Sequence, residues 1–266
     1  MSNDQAARKA QTKALFNTVS PDYDSGPGCF AHFGRRLVEV AGIKAGARVL
    51  DIASGRGAVL FPAAERVGAG GEVVGIDLAD AMAHATSEEA ATRGLKARVS
   101  VMDAEELSFP DASFDYVTCG FGIMFFPDQD RSLAQMRRVL KPGGRLAIST
   151  WQVSQSDGLY PVLKELGLPV GHSPGWITEP DVLEVLIARN GFAGVRVTVD
   201  SMEFRYGDAE EFWQQGRGTG MRRTLDTVNA AQKKQALSLL TERMKLHQRA
   251  DGYYLRATAL LAVANS

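Results

Sequence analysis

Val49-Leu50-Asp51-Ile52-Ala53-Ser54-Gly55-Arg56-Gly57 is the stretch on which the reading of this chain turns. An apolar run ends in small residues where a helix is expected to begin. Missing side chains let a ligand approach the backbone, and in parallel α/β sheets ligands gather beyond the carboxyl ends of the strands. A tight strand–helix turn with no ligand would use the same residues. Two cofactor classes use this geometry. A dinucleotide fold asks for G-x-G-x-x-G with the pyrophosphate on the helix N-terminus. Here Leu60 holds the third glycine position, and Asp51 sits just ahead of the loop. A carboxylate there repels a pyrophosphate and suits a cationic amino group, which favours S-adenosylmethionine with its ammonium and sulfonium.

Moving outward, Val73-Val74-Gly75-Ile76-Asp77 places an acidic residue at the end of a second strand, 20 residues beyond Gly57. Such a carboxylate can accept hydrogen bonds from ribose hydroxyls. Alone it would read as a helix cap. Leu78 and Met82 follow and could cover an adenine. Asp103-Ala104-Glu105 comes after the strand Val99-Ser100-Val101-Met102, where Asp103 could accept from an adenine amino group. As a solvated acidic loop it would be unremarkable; the order of the three segments carries the inference.

The wider pattern agrees. Apolar runs at 47–52, 73–76, 98–102, 115–121 and 145–150 alternate with helical stretches at about 58–67, 79–93 and 130–140. Alternating strand and helix signals imply a parallel sheet covered by helices. Before it, residues 4–18 read as an amphipathic helix carrying Ala10, Leu15 and Phe16, stopped by Ser20-Pro21. A second helix spans about 30–41. Lys141-Pro142-Gly143-Gly144 reads as a turn, and Thr178 as the cap of a helix with Pro180 in its first turn. Strands at 193–205 and 253–263 flank a mostly helical 208–249. The expected fold is α/β: a Rossmann-like, mostly parallel seven-stranded sheet with helices on both faces. One domain would comprise an N-terminal helical lid (1–45), a cofactor core (46–151) and acceptor-side insertions with the last strands (152–266).

These segments resemble a class I S-adenosylmethionine-dependent methyltransferase, similar to the ubiquinone/menaquinone-biosynthesis C-methyltransferase group. The matching stretches are Phe16 with Pro21-Asp22-Tyr23-Asp24, Val49–Gly57, Gly75–Met82, Asp103–Glu105, Phe114–Val117 and Leu140–Leu146. They cover about residues 15–150 in the family's order. The broader class often has glycine where Ala53 stands, and the quinone-type enzymes often carry a small residue there. The resemblance implies that Ala53, Gly55 and Gly57 line the methionine end, with Asp51 ordering the loop and the amino group. It implies Asp77 on the ribose, Leu78 and Met82 beside the adenine, and Asp103, Ala104 and Glu105 at its edge. Phe121 would lie under the sulfonium, and Tyr23 would close over the cofactor. S-adenosylmethionine is the expected cofactor, and methyl transfer to a small molecule the expected reaction.

Composition narrows the alternatives. Thirty basic and 31 acidic residues in 266 give a net charge of −1, and 45% of residues are apolar. This is globular composition without a general electrostatic footprint for nucleic acid. Two cysteines, Cys29 and Cys119, are too few for a disulfide framework or structural zinc site and suit a reducing compartment. With no signal-like or membrane-spanning run, a cytoplasmic protein is expected. No metal-ligand cluster is evident. Methyl transfer needs a general base only if the nucleophile arrives protonated; His32, His172 and Tyr23 are the candidates.

The acceptor is expected under the variable pieces, which carry Phe30, Phe125 and Trp176 among other aromatics and suit an apolar or aromatic molecule. Residues 217–249 hold eight basic side chains against Asp226 and Glu242, a local charge of +6. Arg217 and Arg222 could grip an acidic or phosphorylated acceptor; a solvated helix face is the bland alternative. A homo-oligomer, a non-methyl-transfer reaction on the same fold and an NAD(P)-linked oxidoreductase stand as further alternatives.

Overall fold

The computed structural model describes residues 3–152, 158–168, 170 and 176–266. Two helices, α1 (Asn3–Val19) and α2 (Cys29–Ala41), precede the sheet. Then β1 (Arg48–Ile52), α3 (Leu60–Val67), β2 (Glu72–Asp77), α4 (Asp80–Thr92), β3 (Ala97–Val101), β4 (Phe114–Gly120), α5 (Gln129–Val139) and β5 (Leu140–Trp151) follow in turn. The C-terminal part contains α6 (Leu159–Glu165), α7 (Pro180–Arg189), β6 (Ala193–Tyr206), α8 (Ala209–Arg217), α9 (Arg222–Leu225), α10 (Ala230–Met244), β7 (Gln248–Arg249) and β8 (Gly252–Asn265).

The sheet order is β3-β2-β1-β4-β5-β8-β6, with β7 added on β8. Strands β1 to β5 pair in parallel, and β8 runs antiparallel to both β5 and β6. Because side chains alternate across a strand, a sheet covered on both faces needs apolar residues at every position. Val49 and Val73 accordingly pack with Phe33, Leu37 and Leu60 of α2 and α3. Leu50, Val74 and Ile76 pack on the other face with Leu133, Met136, Leu183 and Ile187 of α5 and α7. The strand order reverses between β1 and β4, and a crevice opens at such a switch point, beyond the carboxyl ends of both strands. That is where Ala53 and Phe121 emerge.

The expected seven strands form the main path of the sheet, and two-residue β7 is an eighth inside a stretch read as helical. Three local readings are corrected. The Lys141–Gly144 segment is an irregularity inside β5: Leu140 already pairs with Phe114, and the register shifts before Tyr116 meets Arg145. Gly143, at φ +75°, absorbs that shift. The cap of α7 is Glu179 and no side chain closes it; Thr178 instead lies 3.4 Å from the Glu179 carboxylate. On α1, Ala10 is exposed and Lys9 is buried, so that helix docks by a polar contact near its start as well as by Leu15, Phe16 and Val19 near its end. No helix among the described residues is long and apolar enough to cross a membrane.

Gly34 allows α2 to touch the segment that follows the glycine loop. A Cβ there would lie 2.0 Å from the Ala58 carbonyl oxygen. Gly34→Ala is therefore expected to destabilise the chain by about 1–3 kcal/mol, the usual cost of overpacking. Urea unfolding would measure it, and a variant as stable as its parent would show that α2 can move aside freely.

Candidate cofactor site

The loop after β1 bends sharply: Ala53, Gly55 and Gly57 have φ of +54°, +50° and +83°. For alanine the left-handed region costs roughly 1–2 kcal/mol, so surrounding bonds must hold it. Ser54 donates its amide to the Ile76 carbonyl at 2.9 Å. The Asp77 carboxylate accepts from the amides of Gly55 at 2.9 Å and Ala79 at 2.8 Å. Thr86 Oγ1 donates to the Gly55 carbonyl at 2.6 Å. Asp77 thus ties the glycine loop to the end of β2. Burial pushes its carboxyl above the usual range, against the pull of the Ala79 and Gly55 amides.

Asp51 is 1% exposed. One carboxylate oxygen accepts from Thr118 Oγ1 at 2.7 Å, and the other is buried without a hydrogen-bond partner. Burial, opposed by the Thr118 hydroxyl and reinforced by the charge of Asp77, pushes its carboxyl up to about 7. An orphaned buried oxygen is costly unless a ligand supplies the missing donor. A bound ammonium would supply it, so these residues fit S-adenosylmethionine.

Across the switch point, Phe121 also adopts a left-handed φ of +54°. Its amide donates to the Ser149 carbonyl at 3.0 Å and lies 3.2 Å from Ser149 Oγ. Its ring stacks on Trp151 at 4.0 Å, and Phe30 meets both edge-on. A Cβ on Gly122 would fall 2.6 Å from that of Ala53, so the two loops touch. The two strained non-glycine residues therefore flank one crevice, a placement typical of functional sites.

About 710 Å³ of space lies between the crevice walls, open solvent at its mouth included. Of the residues expected at the cofactor, Tyr23, Ala53, Gly55, Asp77, Leu78, Asp103, Ala104, Glu105 and Phe121 line it. Three do not. Asp51 is buried as described, Gly57 starts a turn against the Phe61 ring, and Met82 packs with Val19 and Ala79. Tyr23 stacks on Phe30 at 4.9 Å and lies beside Gly55. The Asp24 carboxylate accepts from the amides of Phe30 and Ala31 at the start of α2, which fixes that approach.

Of the acceptor-side residues, Phe125 lines the crevice, with Phe16 edge-on at 4.9 Å. Phe30 sits one ring behind, and Trp176 packs half-buried on the α2–α3 side of the core. Arg217 and Arg222 do not reach the crevice: both pair with Asp226, at 2.7 and 3.0 Å. Others of the basic stretch are likewise matched, Lys233 by Glu210, Arg243 by Glu165 and Arg249 by Glu203. Arg217 and Arg222 therefore do not form a free anion grip. His32 packs edge-on to Phe33 and Phe204, away from the crevice lining, and His172 lies outside the described residues. No group of three or more metal-ligating side chains occurs among the described residues.

Sequence reasoning expected an N-terminal lid but did not single out the helix face that forms one wall. Lys9, Thr12, Lys13 and Phe16 of α1 line the crevice, and Lys9 Nζ lies 2.6 Å from Asp103 and 2.5 Å from Glu105. Their spacing (i, i+3, i+4, i+7) marks a single helix face. Two lysines and a threonine on it concealed the signal.

The chain is similar to known methyltransferases. It is 44% identical to the nocamycin O-methyltransferase of Saccharothrix syringae over 137 residues, 51% of this chain and 49% of that protein. It is also 44% identical to the aklanonic acid methyltransferase DauC of Streptomyces sp. (strain C5) over 144 residues, 53% of this chain and 66% of that protein. The matches thus span about half to two thirds of these relatives. The YcgJ protein of Bacillus subtilis shares the fold, with a TM-score of 0.60 and 23% identity over 88% of this chain and 98% of that one. The family model for ubiE/COQ5 methyltransferases matches residues 4–159, the half that builds the switch-point crevice, and the chain belongs to that family.

Proposed function

We propose that this chain is an S-adenosylmethionine-dependent methyltransferase acting on a small aromatic acceptor. The observation that carries the reading is the crevice between two strained loops, with an Asp77-anchored glycine loop at one end and phenylalanine rings at the other. S-adenosylmethionine, when bound, supplies a methyl group already activated on a sulfonium. The residues of the chain have the tasks of binding, alignment and exclusion of water. Asp77 accepts from the ribose hydroxyls while holding Gly55. Leu78 covers the adenine, and Asp103 with Ala104 faces its edge. Asp51 does not line the crevice of the ligand-free chain, and takes the amino group through its unpartnered oxygen once the glycine loop shifts to admit it. Tyr23 closes over the glycine loop.

Phe16, Phe121, Phe125 and Phe126 wall the remaining space, which favours an apolar planar acceptor over an acidic one, since Arg217 and Arg222 are engaged with Asp226. The relatives named for aklanonic acid and nocamycin support a natural-product acceptor. His32 is not placed to take a proton from a molecule in the crevice.

The test incubates the protein with methyl-labelled S-adenosylmethionine and aklanonic acid or a panel of polycyclic phenols. The expected result is S-adenosylhomocysteine together with a labelled product one methyl heavier. Conversion at unchanged mass would replace methyl transfer by rearrangement on the same fold. Tighter binding of a nicotinamide dinucleotide than of S-adenosylmethionine would overturn the cofactor assignment.

A further inference from the structure

We propose that Lys9 latches α1, part of the expected N-terminal lid, over the cofactor crevice by bridging Asp103 and Glu105, and so governs cofactor exchange. The function of this lid rests on the cofactor reading above; the latch itself does not. Lys9 and Val19 are the buried residues of α1, and they lie near opposite ends. The Val19 end is fixed. Val19 is fully buried against Ala79 and Met82, and the adjoining Ser20 carbonyl accepts from Arg56 of the glycine loop at 3.1 Å.

Toward the other end, Lys9 is 10% exposed and sits between two carboxylates, of which Glu105 is only 2% exposed. Glu105 also accepts the Asp128 amide at 2.9 Å. A buried carboxylate of this kind requires a counter-ion, and Lys9 is the cation it has. Burial opposes the charge on Lys9, but the two carboxylates outweigh it and hold its ammonium above the usual range. Other fastenings along the helix include exposed ones, among them Gln11 accepting from Arg223 at 3.3 Å. The Lys13–Asp80 pair is 40% and 58% exposed, Asn17 accepts the Ala81 amide, and Phe16 rests on Phe125.

Lys9, Thr12, Lys13 and Phe16 wall the same crevice as Asp103 and Glu105. A ligand that engages Asp103 would therefore share that carboxylate with Lys9. Glu105 keeps the latch closed over the bound ligand, and release requires Lys9 to leave both.

Lys9→Met keeps the length of the side chain and removes the charge. Stopped-flow displacement of S-adenosylhomocysteine is expected to show about tenfold faster release. Hydrogen exchange over residues 5–17 of the ligand-free chain should accelerate by about the same factor, with residues 60–67 still protected. Lys9→Arg should restore slow exchange, and Lys245→Met, which breaks an exposed pair away from the crevice, should change release less than about threefold. Release and exchange both within twofold of the parent in Lys9→Met would overturn the latch. If the unmodified chain fails to bind S-adenosylhomocysteine, the cofactor reading falls, and exchange in the ligand-free protein alone decides for or against the latch. If Lys9→Met does not fold, Asp103→Asn, which removes one of the two counter-charges at a side chain 27% exposed, gives the answer in the ligand-free chain: selective loss of protection at 5–17 supports the latch, and unchanged protection overturns it.

Discussion

Asp77→Ala is expected to weaken S-adenosylhomocysteine binding about 100-fold, or about 2.7 kcal/mol. Two losses combine. The ribose hydroxyls lose an ionic acceptor, and the amides of Gly55 and Ala79 lose the carboxylate that holds them at 2.9 and 2.8 Å. Hydrogen bonds to a charged group each contribute roughly 1.5–3 kcal/mol, so losing part of two or three accounts for the whole effect. The second loss also loosens the glycine loop, leaving left-handed Ala53 and Gly55 to the Ser54 amide and the Thr86 hydroxyl. Asp77→Asn separates the contributions, because it keeps the shape and one carbonyl oxygen but removes the charge. It should fall between, at about tenfold. Isothermal calorimetry on folded protein, checked by circular dichroism, measures both. An affinity in Asp77→Ala within threefold of the parent would remove Asp77 from the site.

What could be read from the chain divides along physical lines. The strands of the cofactor half were legible because a sheet covered on both faces demands largely apolar runs, and Val49–Ile52, interrupted at Asp51, and Val73–Ile76 supply them. The glycine loop was legible because left-handed backbone and close approach restrict residue type, and Asp77 because its distance from the loop is set by one strand–helix–strand unit. The latch was hidden for the opposite reason. Nothing local marks Lys9 as buried, since its partners lie 94 and 96 residues away and a lysine on a short polar helix reads as solvated. The basic stretch misled in the same way. Its sign was plain, but Glu165, Glu203 and Glu210, which neutralise much of it, come from other elements. Cap chemistry at Thr178 and the irregular start of β5 depended on packing and register that residue type alone does not encode.

Asp51 should leave a signature in both stability and binding. Its carboxyl is held near 7 in the folded chain, well above the ordinary carboxylate value. The folded state therefore binds this proton more tightly than the unfolded chain does. The resulting stabilisation is full below the unfolded value and is lost as pH rises through the folded one, the reverse of a salt-bridged aspartate. From about pH 5 to about pH 8 the loss from this group is roughly 2–3 kcal/mol. Asp51→Asn cannot titrate, so the stability difference between variant and parent should shift in favour of the variant by that amount over the same range. Urea unfolding at several pH values reads it without requiring the absolute stabilities to agree. A parallel slope for the two proteins would mean that Asp51 is already ionised when folded. Ligand binding provides the second reading. If the ammonium of S-adenosylhomocysteine meets the orphaned oxygen, the carboxyl must ionise, and binding at about pH 6 should release close to one proton. Calorimetry in two buffers of different ionisation enthalpy measures that release, and Asp51→Asn should abolish it. Binding without proton release in the parent would place the amino group elsewhere in the crevice and leave the unpartnered oxygen of Asp51 as a cost of the fold alone.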